Sequence, residues 1–116
     1  MVVVLSLPPR ELSPNARPHW AAKARAVRQY REAAYLLALA EQPARPMRRA
    51  RVTATFFFRD KRRRDGDNLL ASLKPAFDGL ADAGIVADDS AMIHMPVEQR
   101  VDRQNPRVEI AVEALA

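Results

Sequence analysis

Four aspartates stand in two close pairs, Asp65 and Asp67 in the string Asp65-Gly66-Asp67-Asn68, and Asp88-Asp89 further along. Carboxylates two residues apart, on a loop held by a helix end, can converge on one hard cation, and Gly66 keeps the turn between them free of a bulky side chain. Clustered like charges repel and raise one another's pKa, so such a gathering is a poor stability device. Around Mg²⁺ it has a purpose, because that ion takes oxygen ligands, keeps several waters and bridges protein carboxylates to phosphate; Mn²⁺ accepts the same donors. Held by Asp65, Asp67, Asp88 and Asp89, the ion would activate a water for in-line attack on a phosphodiester. Arg62, Arg63 and Arg64 directly precede the first pair and would hold the flanking backbone, while Lys74 would neutralise charge developing on the phosphate. The same aspartates also have an architectural reading, with Asp67 as a helix N-cap, Asp65 as a loop residue and Asp88-Asp89 as a turn with a cap. His94, on the strand after Asp89, is either a neighbour of such a site or a structural histidine.

These residues need elements to position them. Val2 to Leu7 reads as a short apolar strand ended by Pro8-Pro9. After a loop through Ser13-Pro14-Asn15, Pro18 suits the first turn of a helix, and Trp20, Ala24, Val27, Tyr30, Ala34 and Leu37 follow helical spacing to about Glu41. Trp20 and Tyr30, with Phe56 to Phe58, read as core or subunit contacts. Residues 51–58 alternate as a strand, with Val52, Ala54, Phe56 and Phe58 on one face. The run 59–64 has no apolar residue and must be an exposed loop. A second helical stripe, Leu70, Leu73, Phe77 and Leu80, leads to Gly84, a natural C-terminal cap. Pro75 interrupts it, so the helix either kinks near Ala71 or restarts with Ser72 as N-cap. Ile93, Met95, Val97 and Val101 then alternate against His94, Glu98 and Arg100, and Val108, Ile110 and Val112 form a last hairpin strand. The order β-α-β-α-β-β predicts an α/β (α+β) domain over residues 1–116, two helices on a mixed sheet of about four strands.

Composition narrows the partners. The 116 residues contain no cysteine, which excludes a disulfide framework, a thiolate metal site and a cysteine nucleophile. No apolar run reaches the ~20 residues of a membrane span, and the first residues lack the form of a signal peptide, so a soluble cytoplasmic chain is expected. The net charge of +5 is unevenly spread. Residues 1–64 hold fifteen Lys and Arg against four acids, and residues 65–116 hold four against ten. Most of these cations are arginines, which grip phosphate through two parallel N–H bonds. Arg28 and Arg31 on the first helix, with Arg59, Lys61, Arg62, Arg63 and Arg64 on the loop, are therefore the expected contacts to a nucleic-acid backbone, held without reading sequence.

The ordered set Arg62-Arg63-Arg64-Asp65-Gly66-Asp67-Asn68-Leu69, Lys74-Pro75-Ala76-Phe77-Asp78-Gly79-Leu80 and Ala83-Gly84-Ile85-Val86-Ala87-Asp88-Asp89 resembles the core of the RusA family of crossover (Holliday) junction endodeoxyribonucleases. Leu7-Pro8-Pro9, Ser13-Pro14-Asn15 and Tyr30-Arg31 extend the likeness over nearly the whole chain. The resemblance implies a homodimer that uses Mg²⁺ to make paired nicks across a four-way DNA junction, with Asp65, Asp67, Asp89 and Lys74 essential. One departure stands out. The lysine lies seven residues after the second aspartate instead of the family's four, and the extra three are close to one helical turn, which returns Lys74 to the same face. The alternatives are a DNA-binding module of the same fold that has lost catalysis, and a nuclease for other branched or RNA substrates.

Overall fold

A computed structural model describes residues 1–115, so Ala116, at the end of the expected 1–116 domain, lies outside the described residues. The strands are β1 (Val2–Leu5), β2 (Ala50–Phe58), β3 (Met92–His94), β4 (Glu98–Val101) and β5 (Arg107–Ala114). The helices are α1 (Trp20–Leu39), α2 (Gly66–Ser72) and α3 (Lys74–Asp82), and single 3₁₀ turns form at Arg10–Leu12 and Asp89–Ala91. The sheet is mixed and five-stranded, in the order β1-β5-β2-β3, with β4 also on β2. The class is α+β, as the sequence predicts, with three helices where two were expected and five strands where four were.

The centre is β2, whose strict alternation buries Ala50, Val52, Ala54, Phe56 and Phe58. One edge pairs antiparallel with β5, and β3 and β4 run parallel along the other. The expected hairpin into the last strand is therefore corrected. The turn at 102–106 carries the chain across the end of β2, where the Asp102 N–H donates to the Phe58 carbonyl at 2.8 Å, and β5 adds on the far side, between β2 and β1.

The single strand expected from 93 to 101 is broken. In β3, Ala50 pairs with Met92, whereas in β4 Thr55 pairs with Glu98, so the register slips by one residue across Pro96. Proline cannot donate to the ladder, and one extra residue reverses which face each side chain takes. Ile93, Met95 and Val101 are exposed as a result. His94, opposite the buried Val52, turns to the face that carries the helices.

The face of α1 is also corrected. Ala26, Tyr30, Ala34 and Ala38 are buried, while Trp20 is 77% exposed and Leu37 44%. The reason is close helix packing: a Cβ at Gly79 of α3 would lie 2.3 Å from the Arg31 carbonyl oxygen and 3.0 Å from Ala34 Cβ. Small residues let the backbones touch, which no leucine stripe allows. The Tyr30 hydroxyl donates to the Ser6 carbonyl at 2.7 Å and ties α1 to the end of β1; burial pushes its pKa up. The helix starts at Trp20, two residues past Pro18, with His19 as N-cap, its Nδ1 accepting the Ala21 N–H at 3.2 Å.

Pro75 is resolved by a break at Leu73, in place of a kink near Ala71 or a cap at Ser72. Pro75 then sits in the first turn of α3, where a missing N–H is harmless. Ser72 is buried, its hydroxyl donating to the Leu69 carbonyl at 2.6 Å. Leu73, Phe77 and Leu80 pack into the core as expected, and Gly84, at φ 78°, ends α3 in the left-handed region that favours glycine.

Candidate active site

The basic loop after β2 is pinned at its root. Asp60 Oδ1 accepts the Arg62 N–H at 2.9 Å and Arg64 Nη2 at 3.0 Å, and these bonds hold its carboxyl below the usual range. Arg64 also covers the Phe58 ring at 3.7 Å, and its carbonyl accepts Gln99 Nε2 at 3.1 Å. So Arg64 is a fixed strut of the loop, its side chain only 16% exposed, while Arg59, Lys61, Arg62 and Arg63 face solvent.

That strut delivers Asp65 to the start of α2. Asp65, not Asp67, is the N-cap: its Oδ1 accepts the N–H groups of Asp67 at 2.9 Å and Asn68 at 3.3 Å. A capping carboxylate also suits the positive end of the helix. Asp67 is left in the exposed first turn, with no side-chain hydrogen bond or ion pair among the described residues. It borders a recess of about 410 Å³ whose other walls include Lys74, Phe77 and His94.

Lys74 is the hub of this region. Its Nζ donates to Asp78 Oδ1 at 2.9 Å, and this bond, with the charges of Asp78 and Asp89, raises its pKa. His94 leans on Phe77 at 4.4 Å between ring centroids, and desolvation together with the Lys74 charge lowers its pKa. Thus the break at Leu73 and the 3₁₀ turn that opens with Asp89 bring Lys74 within the field of Asp89 and onto the same recess as Asp67. Asp88 is otherwise engaged: its Oδ1 accepts the Ser90 N–H at 2.7 Å and the Ser90 hydroxyl, which lowers its pKa and caps the turn.

Of the two helix arginines expected on DNA, Arg31 is committed within the protein. Its Nε meets Asp82 Oδ2 at 2.6 Å and its Nη2 meets Asp82 Oδ1 at 2.9 Å, a two-pronged clamp of α1 onto α3 that lowers the Asp82 pKa. Arg28 is exposed and has no such partner among the described residues.

The donors suit a hard cation in kind, being carboxylate oxygens in a chain without cysteine. Among the described residues, however, no three Asp, Glu or His side chains gather closely enough to share an ion. This arrangement remains compatible with Mg²⁺, which is commonly held by one or two carboxylates together with substrate phosphate and water. Asp78 is the residue missed from the sequence. Its signal was the four-residue spacing from Lys74, which places both on one helix face. No helix among the described residues is long and apolar enough to cross a membrane.

A protein of Xylella fastidiosa (strain Temecula1), itself described as uncharacterized, is 34% identical over 103 residues, covering 85% of this chain and 67% of the relative. The family model for endodeoxyribonuclease RusA matches residues 9–113, a span that starts before the basic loop and ends within β5. By that match the chain belongs to the RusA family of endodeoxyribonucleases.

Proposed function

We propose that the protein is a divalent-metal-dependent endonuclease that, as a homodimer, resolves four-way DNA junctions by paired nicks. The observation that carries this reading is the convergence on Lys74. A cation sits on a recess with an unpaired carboxylate, Asp67, feels a second, Asp89, and lies beyond a pinned loop of solvent-facing Lys and Arg. Loop residues Arg59, Lys61, Arg62 and Arg63, with Arg28, would neutralise backbone phosphates, a contact that places the duplex without reading its sequence. Asp65 would orient the start of α2, so that Asp67 is presented to the scissile phosphate at a fixed angle. Lys74, anchored by Asp78, would stabilise the charge that builds on the phosphate. Mg²⁺ or Mn²⁺, held by one or two of Asp65, Asp67 and Asp89 together with the substrate phosphate, would supply an activated water and offset charge on the leaving oxygen. A dimer with two such sites would match its twofold axis to that of the junction.

The lack of a three-carboxylate cluster among the described residues favours one competing reading, a DNA-binding module of the same fold without catalysis. A synthetic four-way junction incubated with Mg²⁺ or with EDTA separates the two. The endonuclease cuts only with the ion, and Asp67→Asn binds the junction as well as wild type or better while cutting none of it. If wild type binds the junction but leaves it intact with either divalent ion, the binding-module reading holds.

A further inference from the structure

Trp20 is the only tryptophan of the chain, and at 77% exposure it is the most exposed of its large apolar side chains. A tryptophan displayed in this way is uncommon on a small soluble domain, and its surroundings are polar and basic. His19 lies beside it, at 5.6 Å between ring centroids, on the wall of a recess of about 600 Å³. Arg10 and Arg17 line the same recess. The Arg10 side chain is 95% exposed and its ion pair is with the neighbouring Glu11, at 4.0 Å, while Arg17 has no ion pair or side-chain hydrogen bond among the described residues. Glu11 is the one carboxylate on that wall.

The recess does not stand alone. It shares Arg10 and Ser13 with a second one, of about 190 Å³, that runs past Phe58 to Asn68 and Ser72. Asn68 follows Asp67 in the chain, so the two adjoining recesses extend from beside the acidic loop, past Arg10 and Arg17, to His19, the neighbour of the exposed indole. Exposed cations along a groove that ends in an aromatic face match single-stranded nucleic acid: the cations meet phosphates, and any base has a face to stack. A base inside a regular duplex offers no free face, so such a groove favours a branched or open substrate.

We propose that this furrow holds a DNA strand leading away from the acidic loop, with its phosphates against Arg10 and Arg17 and an unpaired base stacked on Trp20. The proposal rests on the endonuclease reading for the strand's identity, but it assigns a separate surface, and the sole indole makes that surface directly observable. Wild-type protein in EDTA is titrated with a four-way junction and with a duplex of the same sequence, following tryptophan emission. The junction should quench emission well beyond the duplex. Trp20→Ala, its fold checked by circular dichroism, should lose about 5- to 100-fold in junction affinity, and Trp20→Phe should keep most of it. Arg17→Gln should lower the slope of log affinity against log salt by about one. Junction binding with unchanged emission and full affinity in Trp20→Ala would overturn the proposal while leaving cleavage, and the endonuclease reading, intact. Emission that shifts with protein concentration and not with DNA would also overturn it, by assigning Trp20 to a contact between copies. Quenching and affinity loss without any Mg²⁺-dependent cutting would uphold the furrow and sink the endonuclease.

Discussion

Replacing Gly79 by alanine tests the contact that sets the helix layer. The added Cβ would stand 2.3 Å from the Arg31 carbonyl oxygen, and 3.0 Å from both Ala34 Cβ and the Tyr35 nitrogen. An ordinary carbon–oxygen contact is about 1 Å longer, and none of these atoms lies at the end of a side chain that can swing aside, so the helices must separate. Forcing a methyl group into a packed interface costs about 3 kcal/mol when the obstacle is backbone. Better helix propensity returns about 1 kcal/mol, leaving a net loss of about 2 kcal/mol. For a chain of this size that lowers Tm by about 8 °C. Thermal and urea unfolding of Gly79→Ala should show it, with Gly66→Ala as the control, since nothing lies within 4 Å of a Cβ there. Gly66→Ala should match wild type or exceed it slightly. A Gly79→Ala protein as stable as wild type would refute the close approach, and with it the explanation for the alanine face of α1.

Two further outcomes follow from the hub at Lys74. Lys74→Gln should slow junction cleavage by about 10²- to 10³-fold, the usual loss for one electrostatic donor, while junction affinity changes only a few-fold. Asp78→Asn, which weakens the Nζ anchor but leaves the lysine's own charge in place, should slow it less; full activity in Lys74→Gln would reduce the lysine to a surface ion pair. For His94 the direction of the pKa shift gives the sign. Because desolvation and the Lys74 charge lower it in the folded protein, the unfolded chain takes up this proton first as the pH falls below about 6.5. Its contribution to stability is therefore complete above that pH and is lost between it and the lower folded value. Urea midpoints at pH 7.5 and 5.5 should show a smaller acid-side decline in His94→Gln than in wild type, and equal declines would mean that His94 is solvated.

What the sequence made legible was set by short-range pattern. The alternation 51–58 and the stripe Leu73, Phe77 and Leu80 carry their burial in their own spacing, and both pack as read. The basic loop and the D-x-D string also announce themselves locally. Where a partner decides, the pattern failed. Alanine is silent in a hydrophobic stripe, so the packed face of α1 was visible only once Gly79 stood opposite Ala34. One residue at Pro96 reversed the alternation of 93–101 and sent His94 to the helix side. Arg31 and Arg64 look like free cations in the sequence, and Asp82 and Phe58, distant and near in the chain, show that they are not.

The strand order has a consequence in time. Among the described residues the first strand pairs in the sheet with β5 alone, with Val3 opposite Ile110, and β5 in turn lies between it and β2. The β1 edge must therefore wait for a segment from the other end of the domain, whereas α1, β2, α2 and α3 can assemble from contacts closer in sequence. Closing so long a loop comes late and slowly. Until it closes, the outer edge of β5 is open and bordered by apolar side chains, able to pair with another chain. Dilute refolding should thus matter more for this protein than its small size suggests.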